Sequence, residues 1–382
     1  MTFRIARCLA LAAAASIASA APASPAAAER IAFVGALSGA AAALGRDQRD
    51  GFLLAIAEQH GSLGGTVVRV VEFDDGGGAQ HAGAIADRIL AERIQIVTGL
   101  TTSESALALH AKLAGKPVVV IASGAAPVAL AAEKCASNFF STAPVEDAVH
   151  ENAGLIAQRR GYETIFIVTS PESRARVSTA FRRRFAGTVP GIDEARGAIR
   201  GIRLASPDAV YVALPAREIR SFLESYEKAG LFRRIPIIAP DEGVLLDELG
   251  NDFSGLTVSA RWSPAMELER STKFVTAFER RYGRRPSAYA LQGYEAALVL
   301  GEAFRALKGR ALSAPALAHA LAGQTVEGIA GPLRFAADGF AVTQWQAWEL
   351  FDDSSGSTYL APVEATLHEY SDPHSEHCKL RR

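Results

Sequence analysis

The densest group of side chains that could bind a metal lies near the C-terminus and consists of His368, His374, His377 and Cys378. Imidazole and thiolate groups are ligands that zinc and copper prefer. The spacing His-x5-His-x2-His-Cys matches no zinc motif, so two interpretations stay open. The group is either the site of an exported metal-binding protein or part of a polar tail that a disulfide holds in place.

Serine is abundant, but the patterns that activate a serine nucleophile are missing. The sequence has no G-x-S-x-G elbow, and no nucleophile–base pair is evident. The glycine-containing loop after the first predicted strand has neither G-x-G-x-x-G nor G-x-x-x-x-G-K-[ST], so it is not a phosphate-binding loop. These observations argue against a hydrolase, and we expect neither an enzymatic activity nor a cofactor.

The other polar candidates follow predicted strands. The apolar run Ile31–Val34 predicts a buried strand, which is followed by a small-residue loop with Ser38 and by helical spacing from Arg46. After the third strand, Ser103 is the predicted N-cap of a helix over Glu104–Leu113. Ligands of open parallel sheets bind at the carboxyl ends of strands, near helix N-termini, so these loops are candidate binding loops.

Strand and helix patterns alternate along the chain, which is typical of parallel sheets covered by helices. The alternation restarts near Glu146, and this restart predicts two similar, doubly wound α/β lobes. Three short stretches interrupt the alternation and are predicted to cross between the lobes: Thr142–Pro144, Leu256–Ser259 and Gly328–Pro332.

Length and charge limit the class of protein. The chain has 382 residues, which favours two lobes over one compact domain. Its 40 basic and 41 acidic residues give a formal net charge of −1, which offers no electrostatic basis for binding nucleic acid or an anionic membrane surface.

The N-terminus has the pattern of a cleavable secretory signal. Arg4 and Arg7 precede an apolar, alanine-rich run, and the small residues that end at Ala28 form a cleavage site. We therefore expect residues 1–28 to be removed and the protein to be exported. Cys135 and Cys378 then remain in an oxidising compartment, where an isolated pair is predicted to form a disulfide.

Four segments carry a resemblance to a known family: GALSG (35–39), EFDDGGG (72–78), IASGAAP (121–127) and RRPSAYALQGYEAA (284–297). In their order and spacing the chain resembles the type I periplasmic binding proteins of ABC importers, and most of all the leucine/isoleucine/valine-binding group. The resemblance extends from about Arg30 to Phe351.

The resemblance implies two lobes joined by three crossovers, with a ligand bound in the cleft by hinge closure. The first lobe would comprise residues 29–143 and 259–327, and the second would comprise residues 144–258 and 328–360, followed by a C-terminal tail over 361–382. The implied partners are a small-molecule ligand and an ABC permease of the inner membrane.

The resemblance also implies ligand-binding residues. Ser103, beside Thr102, would bind the ligand carboxylate together with the backbone of Ser123–Gly124–Ala125, and Glu242 of the second lobe would bind an amino group. Alternatively, Ser103 is only an N-cap, the segment 123–125 is only a tight loop, and Glu242 is only a solvated charge.

Four positions depart from the pattern of the amino-acid-binding members. Ala126 replaces a threonine, Leu44 stands where relatives have an aromatic residue, and Arg174 stands where they have a tyrosine. A second tyrosine of those relatives maps near Pro215. A cationic Arg174 in the cleft would favour an anionic ligand. It is otherwise one solvated charge among several neighbouring arginines.

The sequence therefore predicts a monomeric, periplasmic solute-binding component of an ABC importer. Its ligand would be a small organic solute: a carboxylate, an amino acid, or an aromatic or keto acid. Two alternatives stay open, namely a periplasmic ligand sensor that docks on a signalling receptor and a metal-binding protein that uses the histidine-rich tail.

Overall fold

The computed structural model describes residues 28–241, 253–308, 310, 312–352 and 358–380. Within these ranges the strands form one sheet of six strands and one of nine, and helices cover them. Most strand pairs near the centre of each sheet are parallel. The predicted α/β fold with two doubly wound lobes is confirmed.

The first sheet has the order β2-β3-β1-β4-β5-β6. Its strands are β1 (Glu29–Gly35), β2 (Ser62–Leu63), β3 (Thr66–Asp74), β4 (Ile96–Gly99), β5 (Val119–Ala122) and β6 (Phe139–Ser141). Only the short hairpin strand β2 is antiparallel to its neighbour. The strand order reverses between β1 and β4, which places the topological switch point of the sheet there.

Strand β1 is buried on both faces, as its apolar run predicts. Ile31 and Phe33 belong to the hydrophobic cluster on one face of the sheet, and Ala32 and Val34 belong to the cluster on the other face. All four are completely buried. Successive strand residues point to opposite faces, so a strand covered by helices on both sides must be apolar throughout.

The second sheet repeats this arrangement. Its parallel part has the order β8-β7-β9-β10-β11, and antiparallel strands extend it beyond β11. The strands are β7 (Ile165–Thr169), β8 (Ile192–Asp193), β9 (Ala209–Ala213), β10 (Ile237–Pro240), β11 (Thr257–Ala260), β12 (Thr325–Glu327), β13 (Pro332–Phe335), β14 (Ala341–Asp352) and β15 (Thr358–Tyr370). Here the strand order reverses between β7 and β9. The repeated order explains why the sequence pattern restarts.

Helices pack on both faces of each sheet. In chain order they are α1 (Ala42–Glu58), α2 (Ala79–Ala91), α3 (Ser103–Leu113), α4 (Val128–Ala131), α5 (Ala148–Arg159), α6 (Arg174–Arg182), α7 (Ala195–Ala205), α8 (Ala216–Lys228), α9 (Glu269–Tyr282), α10 (Ala288–Ala306) and α11 (Ala314–Ala322). Among the described residues, no helix combines the length and the apolar character that a membrane span requires.

Two boundaries differ from the sequence prediction. Helix α1 begins at Ala42 rather than at Arg46, because the alanines before Arg46 are strong helix formers. Much of the predicted tail forms β15, which pairs with β14, and a 3₁₀ turn at Pro373–His377 follows it. Where the chain crosses between the lobes stays a prediction.

Candidate functional site

The loops at the switch point of the first sheet lie beside each other. Val34 pairs with Gly99 at the carboxyl ends of β1 and β4, so the loop that contains Ser38 starts next to the loop that leads to Ser103. Asp74, the last residue of β3, accepts hydrogen bonds from the amides of Leu37 (2.9 Å) and Ser38 (3.2 Å). These bonds fix the first loop at this edge of the sheet.

A buried glutamine connects the loops after β4 and β5. Gln48 of α1 accepts a hydrogen bond from Thr101 Oγ1 at 2.8 Å and donates one through Nε2 to Ser123 Oγ at 3.0 Å. Gln48 and Ser123 are completely buried. The Ser123 hydroxyl is thus part of an internal network, and its predicted role as a ligand contact stays a prediction.

The segment Ser123–Ala125 is packed tightly against the loop after β4. The amides of Ser123 and Ala125 donate to the carbonyl oxygens of Gly99 (2.9 Å) and Leu100 (2.8 Å). A Cβ atom at Gly124 would lie 2.7 Å from both Gln48 Nε2 and Leu100 O. The glycine therefore allows the two loops to approach, and a larger residue would force them apart.

The N-cap of α3 is Thr102, not Ser103 as the sequence predicts. Thr102 Oγ1 accepts a hydrogen bond from the Ser105 amide at 3.3 Å and donates one to Gly77 O at 2.9 Å. Ser103 is the first helical residue. Because Thr102 performs the capping, the Ser103 side chain is available for contacts outside the helix.

The Ser103 hydroxyl donates a hydrogen bond to Glu146 Oε1 at 2.6 Å. Glu146 follows the predicted crossing Thr142–Pro144 and precedes α5. Its side chain is 22% exposed. The N-terminus of the helix that begins at Ser103 adds a partial positive charge, which favours a carboxylate at this position.

The same glutamate faces an arginine at the start of α6. Arg176 Nη1 lies 3.4 Å from Glu146 Oε2 and 3.9 Å from Asp147 Oδ1. It also lies 3.3 Å from Nε2 of His150. Helix α6 follows β7, next to the switch point of the second sheet. Arg176 is thus a cation of the second α/β unit that meets Ser103 of the first through Glu146.

Buried His150 holds Arg176 in position through a hydrogen bond. Burial lowers the pKa of His150 to about 3, with a further lowering by the Arg176 charge, so the imidazole is neutral at physiological pH. A guanidinium can only donate, so Nε2 accepts from Arg176 and the proton resides on Nδ1, which donates to the Tyr211 hydroxyl at 2.5 Å. This tautomer orients Arg176 without adding a positive charge.

Two other predicted site residues, Arg174 and Leu44, are not part of the cluster formed by Ser103, Glu146, Arg176 and His150. Arg174 is exposed, and Leu44 lies, partly buried, in the first turn of α1 rather than in a loop. Glu242 lies outside the described residues. The structure therefore brings together Ser103 and Arg176, and it does not bring Arg174 to them.

The C-terminal segment is bonded to Cys135, which follows α4, and contacts residues at the start of α5. The predicted disulfide between Cys135 and Cys378 is present, with a Cα–Cα distance of 5.7 Å. His374 Nε2 lies 3.1 Å from Asp147 Oδ2, and Tyr370 donates to Glu151 Oε1 at 3.2 Å. The segment is thereby fixed covalently and by polar contacts.

These contacts remove the support for a metal site in the tail. Cys378 is oxidised to the disulfide, and His374 lies against Asp147. In the part of the chain that the structure describes, no three His, Cys, Asp or Glu residues are placed to hold a metal ion. The interpretation of a polar tail held by a disulfide is the one that the geometry favours.

A cavity of about 320 Å³ lies away from this cluster. Its lining includes Glu29, Gly64 and Lys308, so it opens at the amino end of β1. Ligands of parallel sheets bind at the opposite, carboxyl edge. The polar contacts at that edge, rather than cavity size, therefore identify the candidate site.

Sequence reasoning missed Glu146 and Gln48 as members of the site and counted Arg176 only among the solvated charges. Glu146 has one signal, since it stands at the predicted crossing, where both lobes are within reach. Gln48 has a signal as well, because it is a polar residue on the buried face of α1. A buried side-chain amide needs hydrogen-bond partners, and Gln48 finds them in the loops after β4 and β5.

Several solved structures are similar to this chain. A solute-binding protein of an ABC transporter from R. palustris, in complex with benzoate, is 22% identical with a TM-score of 0.83, over 92% of this chain and 100% of that chain. One from Rhodopseudomonas palustris BisB5, in complex with 3,4-dihydroxybenzoic acid, is 19% identical with a TM-score of 0.81, over 90% and 98%. At such identities the likeness shows the fold.

A third similar structure binds an amino acid. The branched-chain amino acid transporter substrate-binding protein from Streptococcus pneumoniae, in complex with isoleucine, is 18% identical with a TM-score of 0.74, over 88% of this chain and 100% of that chain. Among curated proteins, none matches the sequence significantly. The family described as periplasmic binding protein matches residues 29–355. The resemblance seen in the sequence motifs is confirmed, and the chain belongs to the periplasmic binding protein family.

Proposed function

We propose that this protein is the solute-binding component of an ABC importer and that it captures a small organic carboxylate by closure of its two lobes. Family membership supports the importer role. The ligand contacts both lobes only in the closed form, so its binding shifts the population toward closure. The closed form then delivers the ligand to an inner-membrane permease.

One observation carries the choice of a carboxylate. Ser103, at the N-terminus of α3, and Arg176, in the first turn of α6, both contact one carboxylate, that of Glu146. A hydroxyl, a guanidinium and the N-terminal ends of two helices form a set of donors that suits an anion. We place the ligand's acid group between Ser103 and Arg176.

The rest of the ligand is inferred to be apolar and compact. Leu44 and Ala126 replace an aromatic residue and a threonine that amino-acid-binding members use, so we expect weaker recognition of an ammonium group. Several similar structures hold benzoate or hydroxylated benzoates, which supports an aromatic acid as the ligand. Thr102, the backbone at Gly124 and Glu242 are proposed to line the same cleft.

The organisation of the chain follows from the same proposal. Residues 1–28 form a signal peptide and the mature protein is a periplasmic monomer that catalyses no reaction and binds no nucleic acid. The lobes comprise residues 29–143 with 259–327 and residues 144–258 with 328–360. Sequencing the N-terminus of the exported protein should give Glu29 as the first residue.

Thermal-shift screening of the exported protein tests the ligand class. The panel pairs each carboxylate with its neutral amide, for instance benzoate with benzamide, and adds keto acids, leucine and isoleucine. A carboxylate at about one hundred times its Kd should stabilise the protein by about 2.7 kcal/mol, and its amide should not. Stabilisation by leucine or isoleucine alone would refute the aromatic-acid class.

A further inference from the structure

Glu146 binds two groups that would otherwise bind a ligand anion. Its Oε1 accepts the hydrogen bond of Ser103 Oγ at 2.6 Å, and its Oε2 lies 3.4 Å from Arg176 Nη1. Its amide donates to Ala126 O at 3.1 Å, so the backbone of Glu146 is fixed beside the loop that follows β5. The side chain, in contrast, is 22% exposed to solvent.

A ligand carboxylate can replace the carboxylate of Glu146 without a net loss of interactions at Ser103 and Arg176. A ligand carboxylate offers the same two oxygens to the same hydroxyl and guanidinium. Because the Glu146 side chain is 22% exposed and Arg176 is 37% exposed, the displaced glutamate can rotate into water. An ion pair of this exposure contributes little, so its loss does not prevent exchange.

Arg176 stays in place when Glu146 leaves, because it has other partners. Its Nη1 also contacts the neutral imidazole of His150 at 3.3 Å and the carboxylate of Asp147 at 3.9 Å. Both supports are buried. The guanidinium is therefore oriented for the incoming anion before it binds, which lowers the entropic cost of binding.

We propose that Glu146 is an internal competitor that occupies the position of the ligand's acid group, and that a carboxylate ligand replaces it at both Ser103 and Arg176. This inference rests on the proposed function. It makes Glu146 a specificity-determining residue. A ligand without an acid group cannot take over both contacts and leaves Glu146 bound, whereas a carboxylate replaces each interaction that it breaks.

The test is calorimetric titration of benzoate, and of any carboxylate found by the screen, into wild type and Glu146→Gln. The variant keeps the shape of the side chain and removes its charge. We expect Kd to fall about ten-fold, since the neutral amide of the variant competes for Ser103 through a weaker hydrogen bond than the carboxylate does. The matched control is Glu104→Gln, which removes an exposed charge next to Ser103 on α3.

A second pair of variants separates direct competition from long-range repulsion. In the Ser103→Ala background, one of the two groups for which Glu146 and the ligand compete is missing. Glu146→Gln should therefore improve carboxylate binding by clearly less than ten-fold. An effect of charge alone would be the same in both backgrounds and would overturn the inference. Thermal unfolding of each variant verifies that it is folded.

The remaining outcomes separate a failure of the competitor role from a failure of the proposed function. Carboxylates that bind wild type and Glu146→Gln equally, or that bind the variant more weakly, refute the competitor role and leave the proposed function intact. An equal gain in Glu104→Gln also refutes it. If no carboxylate binds either protein, the proposed ligand class and this inference are both wrong.

Discussion

Arg261 and Glu295 form an ion pair that is almost completely buried, with Nη2 of the arginine 2.9 Å from Oε2 of the glutamate. Arg261 Nη1 also donates to Thr142 O at 3.5 Å. The other glutamate oxygen accepts from the amides of Ile329 (3.1 Å) and Ala330 (3.4 Å). The pair thus connects segments at or next to all three predicted crossings.

Breaking this pair is expected to destabilise the protein strongly. Glu295→Gln leaves Arg261 charged and buried without a counter-ion, which costs about 3–5 kcal/mol in comparable cases. Denaturant unfolding, monitored by circular dichroism, measures the loss. The control, Glu269→Gln, breaks an exposed ion pair with Lys273 on α9 and should leave the unfolding midpoint unchanged. Equal midpoints for the two variants would contradict the prediction.

The sequence predicts the centre of the fold well because burial determines it directly. A strand covered on both faces must be apolar, and Ile31–Val34 has that pattern. Strand β15 is not predicted for the converse reason. It is paired through one edge with β14, contains Pro362, and leaves Val363 half-exposed. The sequence of such a strand lacks the strict alternation of apolar and polar residues by which a strand is predicted.

The two serines predicted to contact the ligand should behave differently. Ser123→Ala leaves Gln48 Nε2 buried without its acceptor, which costs about 1–3 kcal/mol of unfolding free energy. Ser103→Ala leaves no such buried group and should instead weaken carboxylate binding: by about ten-fold in the Glu146→Gln background, the typical effect of one lost hydrogen bond to a charged group, and by less in wild type, where Glu146 loses the same contact. Chemical unfolding and calorimetric titration of both variants check this. A stability loss in Ser103→Ala that exceeds that of Ser123→Ala would refute it.

The site is less predictable than the fold because contacts between the two α/β units determine it. On α6, Arg174 and Arg176 each lie one turn before a buried residue, Val177 and Ala180 respectively. Helical periodicity therefore cannot decide which of the two arginines makes contacts beyond its own helix. The choice depends on Glu146 and His150, which come from a different element.

The disulfide between Cys135 and Cys378 is expected to be a major source of stability. It joins residues 243 positions apart in the chain, and closing such a long loop contributes on the order of 5 kcal/mol in the chain-entropy model. Cys135→Ser, Cys378→Ser and the double variant should all lose the same amount, because each removes the same bond. Reductant should lower the unfolding midpoint of wild type to that of the variants and have no effect on them. Unequal losses in the two single variants would show that a thiol has another role.

His150 should make the protein sensitive to acid. Burial lowers the pKa of this imidazole to about 3, whereas its ordinary value is 6.5. The unfolded chain therefore takes up a proton between pH 6.5 and pH 3 that the folded protein does not. The contribution of neutral His150 to the free energy of unfolding is fully present above pH 6.5. It decreases as the pH falls from 6.5 to 3, by at most about 1.4 kcal/mol per pH unit.

A variant isolates this contribution from that of the carboxylates, which titrate in the same range. In His150→Gln the free energy of unfolding should fall less steeply between pH 6 and pH 4 than in wild type, by about 1 kcal/mol per pH unit. His81→Gln, which removes an exposed imidazole, should keep the wild-type slope. Denaturant unfolding at half-unit steps of pH gives the three slopes. If His150→Gln retains the wild-type slope, His150 is protonated in the folded protein between pH 6 and pH 4, and in that range it cannot accept the hydrogen bond that orients Arg176.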